Sequence, residues 1–225
     1  MKETETVKVV FIGESGVGKL ELIKFYIYGD NIEQEEITAQ KVSKTIDFPD
    51  YGKSIKFDIW DTPSLEKFRP MVKIIYKDAK VIVLIYDITK YNSFESLKTY
   101  WLDSIKSDNP NAILAVVANN SHLYEYQQVS NEEGKEFAKS IGAIFQTTSI
   151  RSRSGIDYLF EKIGKKYLDP SFDIEEDDNK EKELYLNLQR KKEKMEKEKK
   201  NGKNEKNIEM KNENSKKTKE KCLII

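Results

Sequence analysis

The sequence predicts an α/β domain: a mostly parallel, six-stranded sheet with helices on both faces. Two runs, "KVIVLIYDI" (80–88) and "AILAVVAN" (112–119), are apolar without alternation, as strands are when helices cover both their faces. Segments of strand and helix character alternate until about residue 168, which calls for crossover connections and parallel pairing. One pair of runs, "KVSKTIDF" and "SIKFDIW", alternates in polarity and is joined by "PDYGK", the pattern of an antiparallel hairpin.

The elements follow in order. "VKVVFI" (7–12) is a short β-branched run that ends in glycines, as a buried parallel strand does, and "KLELIKFYIY" has the apolar density of a packed helix. After the hairpin and the first apolar run, "NSFESLKTYWLDSIK" supplies a helix before the second. "SNEEGKEFAKSIG" opens with Ser130 and Glu133 at capping-box spacing and closes on a glycine. "AIFQTTS" gives the last strand and "GIDYLFEKIGKKYL" the last helix. Ligands of such sheets bind beyond the carboxyl ends of the strands, so each polar loop that follows a strand is a candidate site.

Composition divides the chain. Of its 225 residues 38% are apolar and 35% charged, too charged for a packed domain throughout, and the excess lies at the end. A domain over 1–168 and a solvated, flexible tail over 169–225 are expected. The net charge of zero hides 13 lysines against 7 glutamates in residues 191–221, a net +6. Such a tail suits an anionic partner, and without aromatics for base stacking the partner expected is an anionic membrane surface, not a nucleic acid polymer. No apolar run approaches the length of a bilayer span, and the charged opening "MKETETVKVV" does not read as a secretory leader. Cys222 is the only cysteine, which rules out an internal disulfide and an all-cysteine metal site. The expected compartment is cytosolic, with membrane contact arriving by another route.

"GESGVGKL" (13–20) carries the first chemistry. Gly13, Gly18 and Lys19 satisfy the phosphate-loop pattern G-x-x-x-x-G-K-[ST] up to its last place, where Leu20 stands instead of a Mg²⁺-binding hydroxyl. Strand, glycine loop and helix are the context a P-loop requires. In that setting Glu14, Ser15, Gly16, Val17 and their neighbours present backbone N–H groups to phosphate, and Lys19 supplies the cation.

Other residues fall at telling intervals. From Lys19 it is 19 residues to Thr38, 42 to Asp61 and 100 to Asn119, and Ser149 lies 30 further on. With "IWDT", "YDIT", "SFESL" and "TTSI" added, the chain resembles a small GTPase of the Ras superfamily, most closely the Rab family, over residues 7 to about 167. The resemblance implies a P-loop NTPase fold, GTP and GDP as ligands and Mg²⁺ as cofactor. It implies that Lys19 pairs with the β- and γ-phosphates and that Thr38 and Asp61 hold the metal. Asn119, Asn120 and His122, with Ser149 and Ile150, then fall in the loops that face the base.

Four departures from the family pattern belong together. Leu20 removes one metal ligand. In "WDTPSLEKF", against W-D-T-A-G-Q-E-K-F, Ser64 replaces the glycine whose N–H meets the γ-phosphate. Leu65 occupies the place of the catalytic glutamine, and an aliphatic chain cannot orient water, so no residue is assigned as catalytic. "NNSH" (119–122) replaces N-K-x-D, and His122 stands where a carboxylate accepts two hydrogen bonds from guanine. Neutral imidazole accepts one and imidazolium none, at roughly 1–3 kcal/mol for each donor left unmatched, so weak guanine preference is expected.

The chain ends in "CLII", which fits C-a-a-X, and bulky Ile225 favours geranylgeranyl on Cys222 over farnesyl. A prenyltransferase is then an expected partner, with the lysine-rich stretch as the second membrane signal a single lipid needs. The reading is a Rab-like switch, lipid-anchored on the cytoplasmic face of the plasma membrane or an endomembrane. It would regulate vesicle traffic through effectors at switches I and II, with impaired hydrolysis. The alternative is a nucleotide-insensitive, membrane-tethered binding module. A P-loop kinase is disfavoured, because no arginine-rich lid segment is found.

Overall fold

A computed structural model describes residues 4–30, 41–174, 176, 177 and 179. Thr38, Cys222 and nearly all of the expected tail lie outside them. The chain divides into two units, Met1–Phe172 and Asp173–Ile225, and every element below belongs to the first.

The strands are β1 (Thr4–Ile12), β2 (Lys41–Phe48), β3 (Lys53–Asp61), β4 (Val81–Asp87), β5 (Ile113–Asn119) and β6 (Ile144–Thr147). They form one six-stranded sheet in the order β2-β3-β1-β4-β5-β6, parallel except for β2, which pairs antiparallel with β3. The expected mixed sheet with one hairpin is therefore present. β1 starts three residues earlier than its apolar run, because Thr4–Thr6 pair in register with Ser54–Lys56. After β1 the chain builds one side of the sheet, then crosses to build the other. The carboxyl ends of β1, β3 and β4 thus flank the point where strand order reverses, where such sheets open a crevice.

The helices are α1 (Lys19–Tyr28), α2 (Arg69–Tyr76), α3 (Tyr91–Ser96), α4 (Leu102–Asp108), α5 (Asn131–Ser140) and α6 (Ile156–Leu168). Alternate strand residues serve opposite faces. Phe11 and Phe57 meet Phe160 of α6, which stacks on Tyr26 of α1 at 3.6 Å between centroids. On the other face Val10, Ile12, Leu84 and Tyr86 bury against Val72 and Tyr76 of α2, Phe94 of α3 and Phe137 of α5. Ser130 caps α5 as its spacing predicts, its Oγ accepting from the Glu133 N–H at 3.1 Å.

Two features depart from the sequence pattern. "NSFESLKTYWLDSIK" is not one regular helix: a π-helical turn, Leu97–Trp101, joins α3 to α4. Leu97, Trp101 and Ile105 are spaced by four and all buried, and the wider π turn keeps that spacing on one face longer than 3.6 residues per turn would. α2 is not among the elements read from the sequence, although its buried Val72 and Tyr76 are four residues apart; Pro70 sits in its first turn, where no intrahelical N–H is needed.

Candidate functional site

The loops after β1, β3, β4, β5 and β6 meet at one end of the sheet. After β1, residues 13–18 turn tightly into α1, whose first residue is Lys19. A Cβ on Gly13 would run into the Ile85 carbonyl of β4. Gly18 has φ 89, and a Cβ there would lie 2.6 Å from Asn119 Nδ2. Only glycine lets the loop pass so close to β4 and β5.

Lys19 is buried, and its Nζ donates to the Gly13 carbonyl (2.7 Å), the Glu14 carbonyl (3.1 Å) and Ser64 Oγ (2.6 Å). Asp61, ending β3, faces the same space, and its Oδ1 is buried without a hydrogen-bond partner. Burial holds the Lys19 ammonium below its usual pKa and pushes the Asp61 carboxyl above its own, each shift opposed by the other's charge. Thr62 beside it is fixed by donation from Oγ1 to the Phe11 carbonyl at 2.6 Å. A buried cation and a buried carboxylate oxygen with nothing to bind have the chemistry of a phosphate and cation site. Leu20, in the first turn of α1, offers it no donor atom. Among the described residues no group of three or more His, Cys, Asp and Glu side chains is placed to hold a metal.

The edge of the loop is held from two directions. Glu14 accepts from Ser96 Oγ at 2.7 Å, with Arg69 3.8 Å away. Lys90, three residues past β4, donates to the Gly16 carbonyl at 2.9 Å and lies 3.7 Å from Asp87. Asp87 also accepts from Asn120 Nδ2 (3.0 Å) and from Thr89 N–H and Oγ1. Ser15 and Gly16 are exposed while Val17 is buried.

On the β5–β6 side the expected residues come together. Asn119 is 1% exposed; its Nδ2 donates to the Val17 carbonyl at 2.8 Å and its Oδ1 accepts from Thr148 Oγ1 at 3.0 Å. One side chain thereby ties the loops after β1, β5 and β6. Asn120 adopts φ 63 and caps a 3₁₀ segment, Ser121–Tyr126, that carries His122. His122 Nδ1 lies 2.9 Å from Ser149 Oγ, and that oxygen accepts from the Ser152 N–H. Ile150 turns the chain onward, its carbonyl accepting from Arg153 N–H at 3.1 Å.

Past Asp61, Leu65 is 55% exposed, and Phe68, Met71 and Ile74 continue an apolar surface along α2. Sequence reasoning missed Ser64 as a partner of Lys19, and Lys90, Asp87 and Thr148 as supports. None of these contacts is marked by a local pattern.

A Ras family sequence profile matches residues 8–169. Over 164 residues the chain is 32% identical to the Ras-related protein Rab5A of Oryza sativa subsp. japonica, covering 72% of this chain and 79% of that protein. The chain belongs to the Ras family of small GTPases, close to Rab.

Proposed function

We propose that this chain is a membrane-bound, Rab-like protein of vesicle traffic that binds GTP and GDP and hydrolyses GTP poorly. One observation carries the reading: Lys19 is buried beside Asp61, whose Oδ1 has no partner, behind a loop that needs glycine at 13 and 18. Glu14 to Leu20 would hold the phosphates, with Lys19 as counter-charge, while Asn119, Asn120, His122, Ser149 and Ile150 would surround the base. Mg²⁺, held by Asp61 and Thr38, would neutralise charge on the phosphates.

Hydrolysis depends on positioning water and balancing charge, and this chain is weak in both. Leu65 presents carbon where water must be oriented. Leu20 ligates nothing, and Ser64 takes up one of the hydrogen bonds Lys19 can give. The exposed Leu65, Phe68, Met71 and Ile74 suit an effector that covers switch II.

Residues 169–225 would tether the domain, with geranylgeranyl on Cys222 and the lysine-rich stretch against anionic lipid. Among the described residues no helix is long and apolar enough to cross a membrane. Cys222→Ser is expected to move the protein from the membrane pellet to the soluble fraction, and unchanged pelleting would contradict the lipid anchor. The nucleotide reading is tested by purifying the full chain without added nucleotide and identifying what it carries by mass. A stoichiometric purine nucleotide is expected, lost on chelation of Mg²⁺. An empty protein that also fails to take up GDP would favour the nucleotide-insensitive module.

A further inference from the structure

The base-side loops carry an asymmetry that bears on which purine fits, given the nucleotide reading above. Ser149 is 0% exposed and has one hydroxyl hydrogen to place. Its Oγ already accepts from the Ser152 N–H at 3.1 Å, and among the described residues the acceptor within reach of its hydrogen is Nδ1 of His122 at 2.9 Å. If Nδ1 carried the proton in a neutral ring, Ser149 would hold a buried hydroxyl hydrogen with no acceptor, which folded proteins avoid. The neutral ring is therefore protonated at Nε2. A charged ring is protonated there too. In either form Nε2 is an N–H donor, and among the described residues it has no hydrogen-bond partner.

We infer that His122, set by Ser149, presents a donor to the Watson–Crick edge of the base and so selects a purine nucleotide with an acceptor there. Guanine turns two donors, N1–H and the exocyclic amine, toward that place, and donor against donor leaves both sides unmet. Xanthine offers its C2 carbonyl and adenine its N1, and both are acceptors. The neighbouring asparagine amides are held within the fold. Asn119 is committed to Val17 and Thr148, and Asn120 donates to Asp87, whose Oδ1 is taken by Thr89. Ser149 is thus a positioning residue, and His122 the specificity residue.

The test is calorimetric binding of GDP, xanthosine diphosphate and ADP, each with MgCl₂, to the full-length chain stripped of nucleotide. At least one of xanthosine diphosphate and ADP is expected to bind within threefold of GDP or tighter, and which one does so tells the C2 carbonyl from the N1 acceptor. His122→Asp is expected to shift the ratio toward GDP by tenfold or more, since a carboxylate meets both guanine donors. Ser149→Ala frees the ring to expose an acceptor and is expected to shift it the same way by about threefold. GDP more than threefold tighter than both rivals in the native protein, or a ratio unmoved by His122→Asp, overturns the inference and leaves the nucleotide reading standing. Binding of none of the three overturns both.

Discussion

On the β5–β6 side of the crevice the expected side chains have partners inside the fold: Asn119 joins three loops, Asn120 reaches Asp87 and Ser149 engages His122. On the β1–β3 side, Asp61 keeps a buried oxygen with no partner and Lys19 is buried among carbonyls and a single hydroxyl. The first side is built by packing and stands without a ligand. The second holds opposite charges out of water at a cost that the fold itself does not repay, as sites do when a ligand completes them. Yet the substitutions fall on both. Leu20 and Ser64 fall on the β1–β3 side, and His122, held by Ser149, on the β5–β6 side.

The largest expected effect comes from removing the cation on the incomplete side. Lys19→Ala should weaken GDP binding about 100-fold, the scale of two charge-assisted hydrogen bonds, measured by calorimetry on the full chain. Loss of less than threefold would mean that the phosphates sit elsewhere.

Asp61→Asn is a smaller change with a sign that separates the two sides. Because burial raises the Asp61 pKa, the folded state binds the proton more readily than the unfolded one. Below the ordinary value of 3.8 the group is protonated in both states and costs nothing. Above it the unfolded chain ionises first, so stability from this group falls as pH rises until the folded carboxyl ionises as well. At neutral pH and without metal, the proton-linked part of this cost is absent in Asp61→Asn, so the fall in stability with rising pH should be smaller in the variant, and any Mg²⁺-dependent rise in Tm should be abolished. An unchanged pH dependence of Tm in the variant would show that the carboxylate is already satisfied.

Much of this arrangement was legible in the sequence. The uninterrupted apolar runs of β4 and β5, the alternating hairpin and the glycines of 13–18 specify local structure by local composition. The intervals from Lys19 to Asp61, Asn119 and Ser149 then place side chains at the ends of those strands. Contacts between loops were not legible, because nothing in a local pattern pairs Lys90 with Gly16, 74 positions away, or Ser64 with Lys19, 45 away. The π turn escaped because a four-residue spacing of Leu97, Trp101 and Ile105 reads as ordinary helix until the packing is seen. Thr38 lies outside the described residues, so its place at the metal rests on its interval from Lys19.

The smallest effect concerns the strut between the two sides. Lys90→Met should speed GDP release about three- to tenfold, the worth of one charged hydrogen bond, followed with a fluorescent GDP analogue. Asn120 already reaches Asp87, so Asn120→Lys added to Lys90→Met should restore slow release. If the double change is no slower than the single one, the cation at Gly16 does not steady the loop.

Single-turnover hydrolysis of bound GTP by the full-length chain tests most directly the proposal that the site binds nucleotide but lacks the means to cleave it. The native protein is expected to turn over below about 10⁻⁴ per second, and Leu20→Ser with Leu65→Gln to exceed it at least tenfold. Native turnover at or above that rate, or no gain in the double variant, would contradict it.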